Sequence, residues 1–181
     1  GHTLIPVLEK FEQRFKLDKP IVVADAGLLS TKNIEALKAK KYTFILGARI
    51  KNESKNIKEQ IKRLNLQDGE IVKINKPDDT VLFVSYSNKR ANKDLSNRER
   101  GLKRLEKNLN AGKLTKSNIN NRGYNKYLKM EGEIKIHIDY EKFKNDSTWD
   151  GLKGYITNTT LTGTEVIDNY NNLWKIEKAF R

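Results

Sequence analysis

Apolar residues recur along this chain in three rhythms, and each predicts a different kind of element. In "TLIPVLEKFEQRF", Leu4, Leu8, Phe11 and Phe15 fall at i, i+4, i+7 and i+11, the stripe of an amphipathic helix. Pro6 sits in its first turn, where a missing N–H costs nothing. "LDKP" ends the helix, and "IVVA" (21–24) and "YTFILGA" (42–48) follow as apolar runs without alternation. Such runs fit strands covered on both faces, as in a parallel sheet. Between them Ser30 caps a helix predicted over 31–40. Helix, strand, helix, strand in that order indicates an α/β layered sheet.

Beyond residue 50 the pattern changes. "NESKNIKEQIKRLNL" (52–66) reads as a polar helix or loop, and "GEIVKIN" and "TVLFVSYS" as antiparallel strands joined through the turn "KPDD". In "LSNRERGLKRLEKNL", Leu95, Leu102, Leu105 and Leu109 keep near-helical spacing, with Asp94 or Ser96 as cap. "AGKLTKSNINNRGYNKY" is rich in Asn, Lys and Gly and predicts a loop, whereas "GEIKIHID" alternates as a strand with one wet face. "GYITNT" (154–159) is a last short strand. "TGTEVIDNYNNLWKIEKAFR" is a closing helix that opens on a capping box, Thr162-x-x-Glu165. No internal repeat is present.

Charge adds a partner to this outline. The 181 residues carry 36 Lys and Arg against 23 Asp and Glu, a net +13. Residues 88–130 alone hold 13 basic and 3 acidic residues, net +10. Such an excess suggests a polyanion, nucleic acid first and acidic lipid second. With no cysteine there are no disulfides, thiolate zinc sites or cysteine nucleophiles, and a reducing compartment fits. His2 and His137 are too few for a histidine-rich metal site, so any metal needs oxygen ligands and is a hard cation. No apolar run is long enough to cross a bilayer, and no signal segment opens the chain. Gly1-His2 looks like a cloning remnant, so a piece of a longer protein is expected.

Two carboxylates stand where the pattern calls for something else. Asp25 ends "IVVA" and precedes Ala26-Gly27. It is either a turn aspartate bonding its own backbone or a ligand group at the carboxyl end of a strand, where open α/β sheets bind their ligands. On an ideal wheel with Val166 at the origin, Glu177 falls at about 20°, between Leu173 at about 340° and Tyr170 at about 40°. A glutamate there, mid-way across the apolar face, requires a cation, a basic partner such as Arg181, or protonation. Taken together, the two acids fit a divalent-metal site of the kind that clamps a phosphodiester during in-line displacement.

These residues also carry a resemblance. "VVADAG", "TFILGARIK", "WDGLKGYITN" and "IDNYNNLWKIEKAFR" closely resemble bacterial insertion-sequence transposases of the DDE type, across nearly the whole chain. The resemblance implies an α/β, RNase H-like mixed sheet with flanking helices, its N-terminal strands missing here. It places the core at 1–50 and 151–181, interrupted by a β-rich and basic insertion at 51–150. It implies DNA cleavage and strand transfer at transposon ends in the cytoplasm (bacterial nucleoid), with Mg²⁺ or Mn²⁺ held by two aspartates and a glutamate. Asp25 matches the second aspartate, and in the signature Y-x₂-R-x₃-E-x₆-K Tyr170 is the tyrosine, a DNA contact, and Glu177 the glutamate. Leu173 stands in the arginine slot and the lysine slot falls past Arg181, so those phosphate-contact roles have no residue here. The first aspartate belongs upstream of residue 3. Weak metal binding, an inactive isolated piece, an exposed sheet edge and self-association are the corresponding expectations.

Within the inferred insertion, Arg98, Arg100, Lys103, Arg104 and Lys107 line one helix and are read as a phosphate-tracking surface; the alternative is a solvated face. Trp149 is either a core plug or a base-stacking group beside the Asp150-Gly151 turn. Asp139 and Asp150 read as turn or cap residues, with auxiliary acids as the alternative, and His137 faces solvent without a ligand role. Two rival readings are a DNA-binding module without chemistry and a basic RNA- or ribosome-associated protein.

Overall fold

The computed structural model describes the backbone of residues 4–27, 30–132 and 135–179, and their side chains as far as Leu173. In chain order the helices and strands are α1 (Leu4–Phe15), β1 (Val22–Ala24), α2 (Thr31–Ala39), β2 (Phe44–Ala48), α3 (Lys55–Arg63), β3 (Ile71–Asn75), β4 (Val81–Tyr86), α4 (Asn88–Asn110), β5 (Leu128–Glu131), β6 (Lys135–Ile138), α5 (Tyr140–Asn145), β7 (Leu152–Thr157) and α6 (Gly163–Ala179). They form two compact units, Gly1–Ser85 with Lys153–Arg181, and Tyr86–Leu152.

The first unit is built on a five-stranded mixed sheet in the order β1-β2-β7-β4-β3. β1 and β2 are parallel, β2 and β7 antiparallel, and β3 and β4 form an antiparallel hairpin. Alternation within the apolar runs sorts the two faces. Val22, Ala24, Phe44 and Leu46 point to one side, where Leu37 of α2 and Leu4, Ile5 and Leu8 of α1 cover them. Val23 and Ile45 point to the other, under Val166, Ile167 and Tyr170 of α6. Both faces are dry, which is why neither run alternates in the sequence.

Caps fix where the helices start. Ser30 Oγ accepts the Asn33 N–H at 3.1 Å. Thr162 and Glu165 form the reciprocal box, with Thr162 N–H to Glu165 Oε2 at 2.8 Å and Glu165 N–H to Thr162 Oγ1 at 3.3 Å. A side chain completes the start of β2: Asn158 Oδ1 accepts the Phe44 N–H at 2.8 Å, and its Nδ2 donates to Tyr42 O at 3.0 Å. This amide acts as an extra rung between β7 and the chain entering β2.

Several expectations change. β3 and β4, expected within the insertion, join the main sheet on the far side of β7, and the second compact unit begins at Tyr86. Leu82, Phe83 and Val84 are all buried, as an unalternating interior strand requires. The stripe on α1 is only half used: Phe11 and Phe15 are exposed and stack on each other at 4.6 Å. The second unit is mainly helical, with one short antiparallel pair, β5 and β6. Its core joins Leu105 of α4 to Tyr127, Leu128, Ile138 and Phe143. α4 starts earlier than the leucine spacing suggested, at Asn88. Asp94 is not its cap but lies inside it, paired with Arg90 at 3.6 Å and accepting the Gly151 N–H at 3.2 Å.

Candidate active site

Because β1 and β2 are parallel and in register, from Val22 opposite Phe44 to Ala24 opposite Leu46, their carboxyl ends open at the same edge of the sheet. Asp25 is the first residue past that end on β1, and its side chain is exposed. Its Oδ1 accepts the Gly27 N–H at 2.8 Å, closing a tight turn. Oδ2 accepts no hydrogen bond among the described residues. The turn function thus occupies one carboxylate oxygen and leaves the other for a ligand.

α6 reaches the same edge by crossing the sheet. Its first residue, Gly163, lies over Ile71 and Phe83 of β3 and β4. Val166 packs with Ile45, Phe83 and Tyr155. One turn later, Tyr170 arrives at the carboxyl end of β2. A Cβ added to Gly47 would meet Tyr170 Oη at 2.6 Å and Ala26 N at 3.1 Å. The phenol is thereby delivered beside the residue that follows Asp25. Its ring is held edge-on to Tyr155 at 5.0 Å, with Lys153 Nζ 4.3 Å from its centroid. Sequence reasoning missed Gly47 and Lys153. The glycine was legible, since an isolated Gly in an apolar strand marks a close approach.

Glu177 is on α6, seven residues after Tyr170, but its side chain lies outside the described residues. Among the described residues no three Asp, Glu or His side chains converge as a metal cluster. The exposed carboxylate of Asp25, with one oxygen uncommitted, is a hard donor suited to Mg²⁺ or Mn²⁺ as one ligand of a set.

In the second unit, Arg100, Lys103, Arg104 and Lys107 of α4 are exposed and have no ion partner among the described residues. Arg98 does not belong with them. It is 8 % exposed, its guanidinium pairs with Asp150, and its Cζ sits 5.3 Å from the Phe143 ring. The reason is angular: Arg98 precedes Leu102 by four residues and Leu105 by seven, so it shares their buried stripe. The cation expected on phosphate instead neutralises a carboxylate within the unit. Asp139 caps α5 by accepting the Lys142 N–H at 2.9 Å. Trp149 is half-buried in a 3-10 turn, and His137 Nδ1 lies 3.9 Å from Glu131 Oε2.

A mixed α/β sheet between helices, with an acid at the end of its parallel pair, is compatible with an RNase H-like domain. The family model for the transposase DDE domain matches residues 1–181, and the chain belongs to that family. No curated protein and no solved structure matches it. Membership carries a transposase-type function, in a family that acts on DNA and generally uses divalent metal ions. Among the described residues, no helix is long and apolar enough to cross a membrane.

Proposed function

We propose that this chain contributes to metal-dependent DNA cleavage and strand transfer at transposon ends, with Asp25 and Glu177 as metal ligands. The observation that carries the reading is the approach of Tyr170 to Gly47 and Ala26. The stripe of α6 bearing Val166 and Tyr170 is the one laid on the sheet, and on an ideal helix position 177 follows 170 on that stripe, displaced by about 20°. The same helix continues to residue 177, which supports Glu177 as the partner of Asp25.

A divalent ion, when bound, supplies positive charge to the attacking and leaving oxygens of a phosphodiester. Asp25 contributes a carboxylate oxygen held in place by its turn with Gly27. Tyr170 contributes a hydroxyl, at the same edge, able to donate to a phosphate oxygen. The cations of α4 supply phosphate contacts that position DNA without reading its sequence. Self-association belongs to the same reading, because β1 ends the sheet order and Phe11, Phe15 and Ile21 are exposed apolar residues of the same unit.

The test is Mn²⁺ binding followed by electron paramagnetic resonance. Asp25→Asn and Glu177→Gln should each weaken binding at least about tenfold, as loss of one charged ligand does. Affinity unchanged in both variants would overturn the reading. The unpaired cations of α4 support a second one, a DNA-binding module without chemistry, which predicts DNA affinity indifferent to Mn²⁺.

A further inference from the structure

Tyr124, in the second unit, leaves 39 % of its surface exposed. It is nevertheless packed on one side. A Cβ added to Gly101 would fall 2.3 Å from its Cδ1 and Cε1, so the ring lies against the bare backbone of α4. Tyr127 shows what a core tyrosine does in the same segment: it is 2 % exposed and its hydroxyl donates to Asp146 Oδ2 at 2.7 Å. Tyr124 has no such hydrogen bond among the described residues.

The position of Gly101 on α4 gives this exposed ring its setting. On an ideal helix, buried Leu105 lies about 40° to one side of Gly101, while Arg104 lies about 60° and Arg100 about 100° to the other. Tyr124 therefore packs at the seam between the buried stripe and the cationic one, and that cationic stripe carries Arg100 and Arg104, both exposed and without an ion partner among the described residues. An exposed aromatic ring packed against a helix that also carries a cationic stripe is an arrangement suited to unpaired bases: the cations hold the backbone and the ring takes the base.

We propose that Tyr124 is a stacking platform for an unpaired base of DNA lying along the cationic stripe of α4. The proposal rests on the reading of that stripe as a phosphate surface, and it adds a preference that phosphate contacts alone do not create. The decisive measurement is fluorescence anisotropy with a short labelled duplex and the same duplex carrying one central unpaired thymine. The wild-type chain should bind the bulged duplex about tenfold tighter. Tyr124→Ala should erase that preference and leave perfect-duplex affinity unchanged, while Tyr124→Phe keeps it. Tyr124→Leu, which fills the space against Gly101 without a π-face, should behave as the alanine variant. Arg104→Gln should weaken both DNAs equally and preserve the preference. A preference that survives Tyr124→Ala and Tyr124→Leu, or none in the wild type, overturns the stacking role alone. Failure to bind either DNA overturns the phosphate surface as well, and tighter binding of the matching single-stranded RNA, lost in Tyr124→Ala, overturns the assignment to DNA.

Discussion

The hydroxyl of Tyr170 stands where Gly47 leaves room for it, 2.6 Å from the point a Cβ at that glycine would occupy. Two elements far apart in sequence are matched there, a strand that gives up a side chain and a helix that brings one. Gly47→Ala should destabilise the fold by about 1–3 kcal/mol, the range for overpacking a filled site. Adding Tyr170→Phe removes the nearest atom and should recover part of that loss, although Tyr170 Cζ remains at 3.3 Å. Urea unfolding of both single variants and the double variant measures the coupling; strictly additive effects would contradict the contact.

Arg98 and its neighbours on α4 should separate cleanly by experiment. Arg98→Ala leaves Asp150, only 18 % exposed, without its partner. The expected cost is about 3–5 kcal/mol, mostly from the stranded carboxylate. Arg104→Gln should leave stability unchanged and reduce the salt dependence of duplex binding by about one phosphate contact. Chemical denaturation beside a salt titration of DNA binding reads both. An Arg98 variant that is stable and weak only on DNA would reverse the assignment.

Acid should loosen two caps. The Glu165 carboxyl is held below its ordinary value of 4.5, first by the Thr162 backbone N–H and then by the Thr162 hydroxyl. Asp139 is held below its ordinary 3.8, first by the Lys142 backbone N–H. Both values fall on folding, so each carboxylate contributes stability that is complete above its ordinary value and disappears as pH drops through its lowered one. Glu165→Gln and Asp139→Asn should each flatten the acid limb of a stability-against-pH curve. Curves that keep the wild-type slope would show that the caps contribute nothing to it.

Light scattering should find the chain larger than its monomer mass of 20.9 kDa. Phe11 and Phe15 are 45 % and 53 % exposed, on the helix that covers the β1 end of the sheet. Replacing both with glutamate should shift the distribution to monomer while thermal unfolding changes little. A wild-type chain that is already monomeric at high concentration sinks the proposal of self-association.

Much of this architecture could be read from local chemistry. Two unalternating runs specified β1 and β2, and Ser30 and the Thr162–Glu165 box marked helix starts to the residue. Asp25 was visible because an acid straight after four apolar residues interrupts the run, although the sequence left a turn aspartate and a strand-end ligand both open. What escaped were facts about partnership. The rhythm of residues 71–86 shows two strands but not which sheet accepts them. Arg98 was grouped by charge, although its spacing to Leu102 and Leu105 placed it on the inner stripe. Tyr124 lay in a segment whose Asn, Lys and Gly content says loop, and only its seat on Gly101 reveals that it is packed on one side.

The amide of Asn158 has a consequence for how the chain comes together. It reaches back 114 positions to the peptide N–H of Phe44, so the start of β2 is finished by a group that leaves the ribosome much later. Joining ends so far apart is entropically slow. The emerging N-terminal half should therefore spend its synthesis as an unfinished sheet, vulnerable to proteases and holdases. Meanwhile residues 86–152, with shorter separations to close, can settle first.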